Sequence, residues 1–243
     1  DINVSSGKLV LEDCTLEMNN TVLDGDNSIY ITGALSVNYS NISLFPSNTI
    51  RYWFMIFTNS NITIRNSYIS FAGTSNANFK RGVSINTTNV SFSNNTISKA
   101  DGADVEILTT NISLNESRFL GNDGAGTATE YNIFCAICNN VKIIDSNLSG
   151  DQAQSVYVDS GQNLTLLNSK LTDHSVQSGA LLYKQWYVDA LVRDISGNNI
   201  TNALVVFYNT TSGLTDDDAT NSSGHIPRQN ISEYIVNGSN VKI

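Results

Sequence analysis

Seven stretches of the chain share one arrangement of apolar and polar positions. They begin at Lys8, Ala34, Asn61, Asn89, Asn111, Asn140 and Asn163. The second place is apolar in each: Leu9, Leu35, Ile62, Val90, Ile112, Val141 and Leu164. So is the fourth: Leu11, Val37, Ile64, Phe92, Leu114, Ile143 and Leu166. So is the ninth: Leu16, Ile42, Ile69, Ile97, Phe119, Leu148 and Leu171. The third place, between two apolar ones, is polar except at Val10. Such alternation predicts a half-buried strand whose second and fourth side chains point inward and whose first, third and fifth point outward. The seventh place (Cys14, Ser40, Ser67, Asn95, Ser117, Ser146, Ser169) is small or polar, as suits a corner where short side chains bond their own backbone. Another apolar run, such as "SIYI", "WFMIF", "VEIL" or "SVYV", precedes the next unit. Each unit therefore predicts three short strands, two tight corners and one variable loop.

Units step by 22 to 29 residues. A period of that length with three strands per unit predicts a solenoid, in which no coil can bury its apolar face alone but stacked coils share one core. Hexapeptide repeats are absent, no segment shows a helical apolar stripe, and both prolines, Pro46 and Pro227, lie outside the matched strand positions. The expected fold is all-β: a right-handed parallel β-helix of about seven coils over residues 1–182.

The segments "NITIRNSYIS", "NVSFSNNTIS", "NNVKIIDSNLSG" and "NLTLLNSKLTD" resemble the parallel β-helix repeats of pectate-lyase-like and NosD-like proteins, over roughly residues 8–180. The resemblance implies the fold, which hosts lyases, hydrolases, adhesins and surface-coat proteins alike. Past Ala180 the period stops. "VDALVRD", "SGNN" and "ALVVFYN" resemble the small β-sandwich of carboxypeptidase-regulatory-like and other Ig-like modules, which often follow β-helix repeats in archaeal cell-surface glycoproteins. An Ig-like module over 183–243, serving as spacer or docking unit, is the expectation. It is short for such a sandwich, so the natural chain is expected to continue or another chain to complete it. The start at Asp1, without Met, suggests a processed product or a cut fragment.

Composition narrows the function. Charged residues make up only 14% of the 243, so solubility rests on 33 Asn and 51 Ser plus Thr. A net charge of −9 argues against nucleic acid and anionic membranes as partners. No apolar run approaches the roughly 20 residues of a membrane-spanning helix.

Asn-X-Ser/Thr triplets, acceptors for N-linked sugar on exported proteins, occur at Asn3, Asn19, Asn38, Asn41, Asn61, Asn86, Asn89, Asn94, Asn111, Asn115, Asn147, Asn163, Asn199, Asn209, Asn221, Asn230 and Asn237. These are 17, where the composition alone gives about 7. Asn61, Asn89, Asn111 and Asn163 occupy the outward first place of a unit, and Thr63, Ser91, Ser113 and Thr165 the outward third. The strand pattern needs polar residues there in any case, so the outer wall can be a sugar acceptor without touching the core.

Candidate chemistry is otherwise sparse. Three cysteines, Cys14, Cys135 and Cys138, are not a disulfide scaffold. Five coils separate Cys14 from the other two, roughly 24 Å along the axis, so no bridge from Cys14 is expected. A Cys135–Cys138 bridge is left open, since strand residues three apart face opposite ways. Asp101, Asp123, Asp151 and Asp173 recur at similar offsets in Gly- or Ser-rich loops. They suit a ledge of calcium ligands or ordinary solvated turns; structural calcium aside, no cofactor is expected. The lysines and arginines do not recur at one repeat position, and no paired carboxylates line a cleft, so a polysaccharide lyase or hydrolase is disfavoured and the chain is read as no enzyme. The expected function is a structural, heavily N-glycosylated extracellular protein of the cell surface: an S-layer, sheath or filament subunit, with covalent glycans and self-association or other surface proteins as partners. An adhesin or carbohydrate-binding surface protein is the alternative.

Overall fold

The structure, a computed structural model, describes residues 1–19, 27–45, 51–73, 80–121, 130–148, 154–209 and 213–239. Among these, every regular element is a β-strand. The strands form three parallel sheets, each taking one strand from each unit. The first sheet holds the strands that open the units, Lys8–Glu12, Ala34–Asn38, Asn61–Arg65, Val90–Ser93, Ser113–Asn115, Val141–Ile144 and Asn163–Leu167, and continues into Leu181–Val188. The second, of seven strands, follows the corner and runs from Thr15–Met18 to Lys170–Leu171. The third, of eight, runs from Ile2–Val4 to His174–Val176.

The protein is thus a parallel β-solenoid, of about five full turns rather than the seven expected. The two end units account for the difference. Five strand triplets, from the one starting at Ala34 to the one starting at Val141, are paired on both sides in all three sheets. The triplets at the ends present an edge in two sheets each.

Register makes the core. Leu11, Val37, Ile64, Phe92, Leu114, Ile143 and Leu166 stand one above another. All are buried except Leu11, which is half-buried because its strand is an edge. Ile42, Ile69, Ile97, Phe119 and Leu148 stack likewise from the second sheet, and Phe54, Val83, Val105, Ile133 and Val156 from the third. Each such side chain contributes about 1.5–3 kcal/mol on burial, and every neighbour in a stack shares that apolar lining.

Cys135 belongs to the third sheet's inward column, between Ile107 and Val158. A bulge there sets Ile137 opposite Leu108 and leaves Ala136 unpaired. The extra residue, with the strand's end at Ile137, brings Cys138 back toward the core, and the Cys135–Cys138 bridge closes with Cα atoms 5.6 Å apart. Simple alternation misses this. Cys14 is unbridged, as expected.

The residues after Ala180 depart from the sandwich expected. Leu181–Val188 adds to the solenoid's first sheet, parallel to Asn163–Leu167, with Leu182 buried over Leu164. Gln229–Asn237 pairs antiparallel along it and covers that edge. Leu204–Asn209 and Gly213–Ala219 form a separate two-stranded hairpin. An Ig-like sandwich is not shown by the described residues. The repeat reading ended too early because the fourth place of this eighth strand is Lys184 rather than an apolar residue: Lys184 lies opposite Leu166 and is 4% exposed.

Candidate functional site

The corner between the first and second sheets is the most regular polar feature of the molecule. The sixth residue of each unit, Asp13, Tyr39, Asn66, Asn94, Glu116, Asp145 and Asn168, has φ between 47° and 53°. Five of the seven are Asn or Asp, which tolerate this left-handed conformation best among residues with a side chain. Sequence reasoning placed the corner at the seventh residue; the Asn/Asp bias at the sixth was the signal it passed over.

The seventh residues form a buried ladder. The backbone N–H of Ser40 donates to Ser67 Oγ (3.1 Å), that of Ser67 to Asn95 Oδ1 (3.1 Å), and that of Asn95 to Ser117 Oγ (3.2 Å). The N–H of Ser117 donates to Ser146 Oγ (3.1 Å) and that of Ser146 to Ser169 Oγ (3.0 Å). Each serine hydroxyl donates in turn to the carbonyl two residues before it, as Ser67 does to Arg65 at 2.6 Å. Coil is tied to coil by side chains where the strands break. Lys184 ends the ladder by donating Nζ–H to the Ser169 carbonyl, with its ammonium over the Trp186 ring and Trp186 Nε1 donating to Glu233 (2.6 Å). Burial pulls the Lys184 pKa below its ordinary value, opposed by the Glu233 carboxylate.

The triplet asparagines lie on the surface. Asn3, Asn19, Asn61, Asn89, Asn94, Asn111, Asn199, Asn221 and Asn230 are exposed, and Asn38, Asn41, Asn86, Asn115, Asn147, Asn163 and Asn237 half-buried. The Asn209 side chain lies outside the described residues, as do Thr21, Ser149 and Thr211, which complete the triplets at Asn19, Asn147 and Asn209. Among the described residues the two buried asparagines, Asn95 and Asn132, head no triplet, although Asn95 is the middle residue of the one at Asn94. Several triplet side chains bond through their carbonyl oxygen, which leaves the amide nitrogen for a sugar. Asn163 Oδ1 accepts the Asn140 N–H (3.0 Å), Asn221 Oδ1 accepts those of Ser223 (2.8 Å) and His225 (3.2 Å), and Asn199 Oδ1 accepts Arg193 Nε–H (3.2 Å). Asn94 and Asn111 differ, donating Nδ2–H to Asn66 Oδ1 (2.8 Å) and to Thr110 Oγ1 (3.0 Å).

A polar hollow of about 600 Å³ lies along the corner, lined by Thr15, Tyr39, Asn41, Asn66, Tyr68 and Asn94 among others. Tyr39 is 62% exposed, while Tyr68 is half-buried with its hydroxyl 2.6 Å from Ser98 Oγ.

The outer face of the third sheet holds charges the sequence reading did not single out. Glu106 is fully buried and accepts the Ser84 hydroxyl (2.6 Å), with Arg81 Nε 3.7 Å from its other oxygen. Arg81 lies over the Phe134 ring, 4.0 Å from its centroid. Asp104, also buried, accepts the Gly121 N–H (2.9 Å) and Asn132 Nδ2–H (3.0 Å). Tyr131 and Tyr157 pack with Phe134, and burial raises the pKa of both phenols. The alternating acids of "ADVEIL" were the available hint; in strand register they share the outward face. Donors hold both carboxylates in place, an arrangement that braces the sheet.

Of the four aspartates in the expected calcium ledge, Asp123 and Asp151 lie outside the described residues. Asp101 and Asp173 belong to units three coils apart, roughly 14 Å along the axis, too far to share one ion. Asp173 Oδ1 accepts the His174 N–H (2.7 Å), the local bond of a turn aspartate. Among the described residues no three His, Cys, Asp or Glu side chains group so as to hold a metal, and no helix is long and apolar enough to cross a membrane.

Compared with known protein families, curated proteins and solved structures, the chain matches none. The fold therefore rests on the chain's own register and burial.

Proposed function

We propose that this solenoid is a structural, N-glycosylated protein of the cell exterior, of the kind that builds an S-layer, sheath or surface filament. One observation carries the reading. Every triplet asparagine whose exposure is described is exposed or half-buried, while neither of the buried asparagines, Asn95 and Asn132, is itself an acceptor. Polar strand residues selected for solubility alone need not be Asn followed two places on by Ser or Thr, and the excess of triplets lies on the face where sugar can be attached. A rigid rod of stacked coils with a sugar-clad wall suits a coat or stalk, and its corner ladder and buried charge network serve rigidity rather than turnover. The resemblance to β-helix repeats of archaeal surface glycoproteins points the same way. Calcium in the acidic turns would add stiffness. Intact mass of the protein from its native source, before and after deglycosylation, tests the reading. The expected result is a large loss of mass on deglycosylation; a bare polypeptide mass removes its main support. Imaging of intact cells then separates a lattice or filament from the isolated molecules an adhesin would give.

A further inference from the structure

Tyr39 sits where the corner geometry disfavours it. The other six sixth-place residues are Asn, Asp or Glu, and Tyr39 alone puts a bulky ring at φ 47°. A residue of this kind in the left-handed region is strained relative to Asn or Asp. Its backbone N–H donates to the Arg65 carbonyl (3.3 Å), but among the described residues no side-chain interaction offsets that strain. The side chain is 62% exposed, with neither a ring contact nor a hydrogen bond to its hydroxyl among the described residues.

Two residues on, the triplet Asn41-Ile42-Ser43 begins the next strand. Tyr39 and Asn41 line the same polar hollow of about 600 Å³, with Asn66 and Asn94 beyond. Asn41 Oδ1 is shielded from solvent and has no hydrogen-bond partner among the described residues. The hollow is shallow, and its hydroxyls and amides belong to several successive coils. Such a surface suits a pyranose chain, which has apolar C–H faces and a hydroxyl rim. An aromatic ring presents its negative face to the C–H side, and amides bond the rim.

We infer that the corner hollow is the bed of the N-glycan carried by Asn41, with Tyr39 as the stacking platform for its first sugars. This deepens the glycoprotein reading and rests on it. Asn38 also neighbours Tyr39, but it lines the adjoining hollow rather than this one. Asn94 uses its own Nδ2–H on Asn66. Of the two triplet asparagines that line this hollow, Asn41 is the one whose amide nitrogen makes no hydrogen bond among the described residues.

The test is a sign reversal. Tyr39→Asn is made in the full chain twice, once in a host that attaches N-glycans and once in a host that does not; peptide mass establishes occupancy at Asn41. In the bare protein the substitution relieves the left-handed strain, so its melting midpoint should rise or hold. In the glycosylated protein it removes the platform, so the midpoint should fall by about 2–4 °C, the shift expected for a chain of this size when a modest contact is lost. Asn41→Gln in the glycosylating host should abolish that difference. Equal effects in both preparations, with Asn41 occupied, overturn the platform. Asn41 bare while other triplets carry sugar also overturns it, yet leaves the glycoprotein reading intact. Only absence of sugar from all triplets would bring down both.

Discussion

At the residue scale, two buried polar side chains break the apolar pattern, and each makes a testable prediction. Tyr52 is fully buried, and its hydroxyl has no hydrogen-bond partner among the described residues. A buried hydroxyl left unpaired costs about 1–3 kcal/mol, so Tyr52→Phe should stabilise the protein, read as a raised thermal midpoint near neutral pH. Burial also pushes the Tyr52 phenol far above its ordinary pKa. The folded state thus holds this proton when the unfolded state would release it. Stability from this source is complete below the unfolded value of about 10 and is lost as pH climbs past it. Alkaline unfolding should therefore begin above pH ~10 and move higher in Tyr52→Phe; an unchanged alkaline midpoint would refute this role. Lys184 works in the opposite sense. Its lowered pKa means that the unfolded chain binds the proton more tightly, so its contribution improves as pH rises toward about 10.4. Stability of the wild type relative to Lys184→Met should grow as pH approaches about 10.4 from below, and a flat difference would contradict the lowered pKa. Neither residue was visible as special in the sequence. A tyrosine beside "WFMIF" reads as an ordinary core aromatic, and a lysine at an inward place reads as the end of the repeat.

At the element scale, strand pattern and register were legible because the side-chain period of a strand is two and a stack tolerates only apolar residues at its inward places. The alignment of Leu11 through Leu166 follows directly. Three features were not legible. The sixth-place corner is set by backbone φ, which Asn and Asp favour without requiring. The bulge at Ala136 adds a residue without altering the local composition. The recruitment of Leu181–Val188 depends on Leu182 covering Leu164, a contact between units that no single unit encodes. The serine ladder yields the prediction at this scale. Ser117 Oγ accepts the Asn95 N–H (3.2 Å) and donates to the Asn115 carbonyl (2.7 Å) while buried. Ser117→Ala should cost about 1–3 kcal/mol. Because each coil contacts only its neighbours, the loss should stay local. Hydrogen exchange should speed up at Asn95 and Ser117 while the coils near Val37 and Leu166 keep their protection. Uniform loss across the chain would argue against coil-by-coil stability.

At the scale of the whole molecule, a stiff solenoid presents its polar places on an outer wall and keeps its apolar places in one shared interior. The site-level reading was legible to the same extent. Triplets are visible in sequence, and the fold decides whether they face out; of the acidic ledge only Asp101 and Asp173 fall among the described residues, in units three coils apart. The central claim is that the outer wall is a sugar acceptor. Site-resolved peptide mass mapping of the protein from its native source tests it most directly. Asn61, Asn111 and Asn163, at the outward first place of their units, should be occupied in most molecules. Asn89 directly precedes the strand Val90–Ser93, which pairs with Asn61–Arg65 on one side and Ser113–Asn115 on the other at a spacing of about 5 Å, so crowding should leave it only partly modified. Sugar on most triplets with Asn89 depleted is the result predicted; unmodified asparagine at Asn61, Asn111 and Asn163 would contradict the account.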